Sequence, residues 1–110
     1  MDLTITTEVN ENGRWLLRLV GALDLESRVN LTALGLDALH ADGCTALLLN
    51  LAEITFVDST GIGAMVALAG DAADAGIDFG LQDPAPRVRR ILQITGLLDA
   101  WPIEGIDAPA

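Results

Sequence analysis

Thr55-Phe56-Val57-Asp58-Ser59-Thr60-Gly61-Ile62-Gly63 follows the apolar run Leu47-Leu48-Leu49 and opens a segment where Ile62, Met65, Val66, Ala69 and Ala73 recur at helical spacing. A strand that turns directly into a helix is the unit from which α/β folds are built. The first N–H groups of a helix lack intrahelical partners and its dipole favours negative charge there. Ser59 and Thr60 therefore stand where a cap, a bound anion or a phosphoryl group is accommodated. Asp71 and Asp74 fall opposite the apolar stripe, with Gly63, Ala64 and Ala67, small residues that would let another protein's backbone come close. A plain solvent face fits that side equally well.

Upstream, Leu3, Ile5, Thr7 and Val9 alternate on one face, and Asn10-Glu11-Asn12-Gly13 reads as a turn. Arg14 to Val20 sets Trp15, Leu17 and Leu19 against Leu16, Arg18 and Val20. The pattern predicts a hairpin whose second strand is interior and ends at Gly21. Leu25, Val29, Leu36 and Leu39 predict a helix closing near Ala41-Asp42-Gly43, and Thr45 to Leu51 a short strand at the sheet centre. Downstream, Gly76 stops the helix that starts at Thr60, and Ile77 to Leu81 is a strand. Asp83-Pro84-Ala85-Pro86 leads into a third helix with Val88, Ile91, Leu92 and Thr95 on one face, ended by Gly96. Trp101 to Glu104 is extended, and Gly105 to Ala110 forms a weakly structured tail. Strand-helix alternation after the hairpin predicts a mixed sheet with right-handed crossovers.

The 110 residues suit one domain, 1–110, and the sixteen acids against six arginines and no lysine give a formal charge of −10. Nucleic acid is a poor partner for such a surface, because phosphate backbones are held by Lys and Arg. Arg87, Arg89 and Arg90 read as a solvated helix face. No apolar run reaches the length of a membrane span, and Met1-Asp2-Leu3-Thr4 has no targeting character, so a cytoplasmic location without direct membrane contact is expected. With one His, His40, and one Cys, Cys44, neither a metal cluster nor a Ser-His-Asp set can be assembled. Gly61-Ile62-Gly63 resembles the start of a dinucleotide fingerprint, but Val66 holds the third glycine position and no second nucleotide-binding half fits the length. Asp24 and Asp58 both follow apolar strands and could meet at one sheet edge. At Ser59 the structural reading is an N-cap with glycines easing a tight turn. A phosphoserine there would meet Asp58, whose repulsion outweighs the helix dipole, leaving dense negative charge on an exposed turn for a partner to read.

Gly21-Ala22-Leu23-Asp24, Asp58-Ser59-Thr60-Gly61-Ile62-Gly63 and the run Val88-Arg89-Arg90-Ile91-Leu92-Gln93-Ile94-Thr95-Gly96-Leu97 together resemble a STAS domain, specifically a bacterial anti-sigma factor antagonist. The resemblance covers nearly the whole chain. It implies an α/β fold, a mixed sheet of four to five strands flanked by three to four helices. It also implies a switch: Ser59, with Thr60 as the fallback acceptor, is phosphorylated by an anti-sigma factor that is a serine kinase of the histidine-kinase-like ATPase fold. Unphosphorylated, such a protein binds the anti-sigma factor and frees a sigma factor that serves transcription under stress; a serine phosphatase resets it. Asp24 and Asp58 would flank the acceptor. Thr60, Gly61, Ile62, Gly63, Ala64 and Ala67 would meet the kinase. ATP would belong to that partner, so the chain would need no cofactor or metal and would not be an enzyme. The short stretch after Trp101-Pro102-Ile103 departs from the C-terminal helix that family members often carry. The alternative within the family is an accessory subunit docking on a membrane transporter ATPase without phosphorylation. An alternative outside it, a small dinucleotide enzyme, predicts heat on mixing with such ligands.

Overall fold

In the computed structural model residues 2–104 are described, so the expected tail at 105–110 lies outside the described residues. The hairpin forms as β1 (Leu3–Val9) and β2 (Arg14–Leu23), antiparallel about the Asn10–Gly13 turn. There follow α1 (Arg28–His40), β3 (Ala46–Val57), α2 (Ser59–Asp74), β4 (Asp78–Gln82), α3 (Pro86–Ile94), a 3₁₀ turn (Leu97–Asp99) and β5 (Ile103–Glu104). The sheet runs β1-β2-β3-β4-β5, and each pairing after the hairpin is parallel.

Strands added in one direction by right-handed crossovers put every helix on the same face. The core agrees. Leu17, Leu19, Leu47, Leu49 and Leu81, alternate residues of their strands, join Leu31, Met65, Leu68, Val88 and Leu92 of the helices in one buried cluster. The opposite face carries Arg14, Arg18 and Asp78 and is crossed by the ion pairs Arg14–Glu104 and Arg18–Glu8. The sheet thus has one covered side, and every helix points its start toward the end of the molecule where the parallel strands finish.

Four expectations need correction. Gly21 does not end β2: it sits at φ 116° in a register shift, with the Ala22 N–H donating to the Asp2 carbonyl at 3.1 Å, and the strand runs on to Leu23 because Ala22 and Leu23 still pair with Phe56 and Val57 of β3. A Cβ at Gly21 would lie 2.1 Å from that same carbonyl oxygen, so close approach as well as φ requires glycine. The central strand is twelve residues long, not a short piece ending at Leu51. Turned by α1's true phase, Leu31, Gly35, Ala38 and Leu39 face inward while Leu25 and Val29 stand exposed. In α2 the inward residues are Gly61, Ala64, Met65, Leu68 and Ala72, and Val66 and Ala73 are outside.

β3 outruns its neighbour. It pairs with β4 only from Ala46 to Asn50, while pairing with β2 continues to Val57. Along the unpaired side, the Ala85 N–H donates to the Leu51 carbonyl at 3.2 Å and Arg87 Nη1 to the Thr55 carbonyl at 3.3 Å.

Candidate phosphoacceptor turn

Where β2 and β3 finish side by side, the Asp58 N–H donates to the Leu23 carbonyl at 3.3 Å, bringing the residues after both strands together. Asp24 and Asp58 do meet at one edge, near enough for the Asp24 carboxylate to oppose ionisation of Asp58. Each nevertheless holds its carboxyl below the ordinary value, by hydrogen bonds to the charged form. For Asp58 the Thr60 hydroxyl is the larger cause, donating to Oδ1 at 2.5 Å, followed by the Gly61 N–H at 3.0 Å. For Asp24 the Ser27 N–H comes first, at 2.9 Å to Oδ1, then the Ser27 hydroxyl at 3.0 Å.

The cap of α2 is therefore Asp58, not Ser59 as a structural reading of the sequence would have it. An Asp at this position accepts from the N–H three residues on, which fixes the helix start without the serine. Ser59 becomes the first helical residue, exposed, and its hydroxyl makes no hydrogen bond among the described residues. Thr60 is half-buried with its hydroxyl committed to Asp58. Two adjacent hydroxyls thus have different availability, a distinction the sequence leaves open.

The residues expected to meet a partner divide. Gly63 and Ala67 are exposed and Ile62 half-buried, but Gly61 and Ala64 are buried and cannot be touched from outside. Gly61 faces inward because the helix starts hard against β2, with the Leu23 carbonyl oxygen 2.7 Å from where a Cβ would stand. Its contribution is the N–H given to Asp58.

Ser27 went unread. It is 5% exposed, accepts the Asp24 N–H at 2.9 Å and lies 2.7 Å from the Ala22 carbonyl, to which its hydroxyl donates. The signal was present as Asp24-Leu25-Glu26-Ser27, an Asp whose side chain reaches the N–H groups two and three residues on. The larger cavities, of about 450 Å³ beside Arg14, Ala46 and Gly80 and about 510 Å³ beside Gly76, Ile77 and Trp101, reach the starts of the parallel strands, at the far end from Ser59. The Ser59 hydroxyl is presented on an exposed turn, outside both cavities. Among the described residues no group of His, Cys, Asp and Glu could hold a metal ion, and no helix is long and apolar enough to cross a membrane.

A family model described as "Mlab, STAS domain" matches residues 8–103. Among solved structures, the chain is similar to an anti-sigma factor antagonist from Mycobacterium paratuberculosis, with 24% identity over 94% of this chain and 86% of that one and a TM-score of 0.80. The Bacillus cell fate determinant SpoIIAA in its phosphorylated form is 22% identical, with 94% and 93% covered and a TM-score of 0.75. A sulfate transporter family protein from Wolinella succinogenes is 18% identical, with 91% and 83% covered and a TM-score of 0.75. At these identities the likeness to solved structures is one of fold: the mixed five-stranded sheet with its helices.

Proposed function

The chain belongs to the STAS domain family, and from that membership we propose that it is an anti-sigma factor antagonist switched at Ser59. Unphosphorylated, it binds an anti-sigma factor that is a serine kinase of the histidine-kinase-like ATPase fold, and so frees a sigma factor. Phosphorylated on Ser59, it lets the kinase go, until a serine phosphatase restores it. The observation that carries this reading is the unengaged, exposed hydroxyl of Ser59 beside a Thr60 hydroxyl already given to Asp58. A hydroxyl must be free to reach another protein's active site, and the helix start holds this one in place. The nucleotide belongs to the partner; this chain is substrate and binder in the cytoplasm and catalyses nothing itself.

Phosphate on Ser59 adds roughly −1.5 to −2 charges next to Asp58 and Asp24. Since Asp58 already takes the Gly61 N–H, the new group finds that helix donor occupied and two carboxylates nearby. It alters the surface offered to a partner more than the domain itself.

The test passes native lysate over immobilised Ser59→Ala and Ser59→Asp proteins. Retention of a histidine-kinase-like ATPase by the alanine form alone is expected, with phosphate on Ser59 and none on Thr60 in site-resolved mass spectrometry of kinase-treated protein. Equal retention by both forms overturns the switch. A second reading, an accessory subunit of a membrane transporter ATPase, draws on the similarity to a sulfate transporter family protein. Co-purification with a transporter ATPase from detergent extract, with Ser59 unmodified in the cell, would favour it.

A further inference from the structure

Among the described residues β1 has a neighbouring strand on one side only. Its pairing with β2 decides what the other side offers. The Asn10 N–H donates to the Arg14 carbonyl at 3.0 Å and the Ala22 N–H to the Asp2 carbonyl at 3.1 Å, both directly opposed pairs in the register that sets Leu3 against Gly21 and Val9 against Trp15. Bonded pairs alternate in an antiparallel ladder, so the even-numbered residues of β1 give their backbone groups to β2, while Leu3, Ile5, Thr7 and Val9 aim theirs at the open edge. Edges are ordinarily blunted by Lys, Pro, a bulge or brevity. Leu3-Thr4-Ile5-Thr6-Thr7-Glu8-Val9 has none of these: it is seven residues long, its register with β2 is unbroken, and its one charge, Glu8, is met by Arg18 at 3.4 Å. The side chains of the same odd-numbered residues lie on the helix side of the sheet. There Leu3 and Ile5 pack on the core and, with Asn30, Ala33 and Leu34 of α1, border a hollow of about 200 Å³. Val9, on that side but at the other end of the strand, is 56% exposed. One strand thus carries an apolar knob and a hollow.

We propose that two copies of the chain join along β1, antiparallel about a two-fold axis at Thr6. In this register Leu3 lies opposite the other copy's Val9 and Ile5 opposite the other copy's Thr7, so every outward N–H and C=O of the strand finds a partner. Each Val9 comes beside the other copy's Leu3, at the hollow. Glu8 lies opposite Thr4 and Asp2 opposite Asn10, so no acid of the strand faces another, and Thr6 meets Thr6, a favourable cross-strand pair. Two five-stranded sheets become one, and growth stops there because the opposite edge, β5, is only two residues long. A charge of −10 on each copy opposes association at long range, and salt screens it, so the dimer tightens as ionic strength rises. The edge lies apart from Ser59, and the inference stands or falls independently of the switch.

The experiment is sedimentation of the full chain over a concentration series at low and moderate salt, with two sets of variants. The mass should rise from 11.5 kDa towards double that value, at lower concentration when salt is added. Thr7→Pro removes an N–H that faces the open edge and leaves the β2 ladder intact, so the fold should survive by circular dichroism while association weakens by about tenfold or more. In a Cys44→Ser background, Thr6→Cys places two sulfurs across an unbonded pair whose Cα atoms stand about 4.5 Å apart, within disulfide range, and a covalent dimer should form on mild oxidation. Thr4→Cys in the same background puts them about 13 Å apart along the strands and should not link. A wild-type chain that stays monomeric throughout overturns the proposal. So does a folded Thr7→Pro protein that dimerises as wild type does, or linkage through position 4 as readily as through position 6, results that keep the proposal testable even should Thr7→Pro fail to fold.

Discussion

Gly61→Ala and Gly63→Ala change two positions of the same first turns of α2, yet their surroundings give them opposite signs. Alanine is favoured over glycine within a helix by about 1 kcal/mol, through backbone entropy. At Gly63 the new methyl meets nothing within 4 Å, so the whole gain is expected. At Gly61 it would stand 2.7 Å from the Leu23 carbonyl oxygen, 2.8 Å from Leu23 Cγ and 3.0 Å from Val57 Cγ2. The nearest atom is backbone of β2, held in the sheet, and cannot swing aside as the end of a flexible side chain can. Overpacking of this kind costs about 1–3 kcal/mol, which exceeds the helical gain and leaves a net loss on the order of 1 kcal/mol. For a domain near this size each kcal/mol moves the midpoint by about 4–8 °C, so Gly63→Ala should melt roughly 5 °C higher and Gly61→Ala roughly 5 °C lower. Thermal unfolding followed by circular dichroism, checked by urea titration, measures both. A Gly61→Ala protein as stable as wild type would refute the tight seating of α2 on β2 that sets the acceptor turn.

Ser27→Ala strips the buried Ala22 carbonyl and the Asp24 N–H of their partner, and should cost about 1–3 kcal/mol in urea unfolding. Because Asp24 and Asp58 have folded pKa values below the ordinary 3.8, the stability they lend is complete above that value and disappears as pH falls through the depressed ones. Asp58→Asn should therefore flatten the acid limb of stability against pH; an unchanged limb would count against the Thr60 and Gly61 hydrogen bonds. Glu104→Gln breaks an ion pair whose side chains are 40% and 45% exposed, and should change stability by less than about 1 kcal/mol at moderate salt.

Element order was legible because each strand has its own apolar run and each helix its stop, as at Gly76 and Gly96. Helix phase was less so. α1 contains Val29, Leu31, Leu34, Leu36 and Leu39, so more than one apolar stripe can be drawn along it, and only packing on β2 and β3 selects among them. The same ambiguity placed Ala64 outward. At the turn, spacing located the hydroxyls and both acids, but which group caps α2 depends on how β3 delivers the chain. Asp58 arrives extended, at φ −110° and ψ −177°, with its carboxylate able to reach the Gly61 N–H. Sequence spacing carries no record of that dihedral.

The overhang of β3 beyond β4 leaves backbone from Ala52 to Phe56 with an unpaired side in the middle of the sheet. An open, β-rich side invites a foreign strand to zip on, and Ile54-Thr55-Phe56-Val57 has the composition that does so. Arg87 occupies the Thr55 carbonyl, Glu53 lends charge beside it, and Pro84 and Pro86 stiffen the incoming loop with residues that offer no N–H. Arg87, which reads from the sequence as part of a solvated helix face, thus also covers this open side. Losing Arg87 should show itself as fibre formation on prolonged storage well before any change in the folded state.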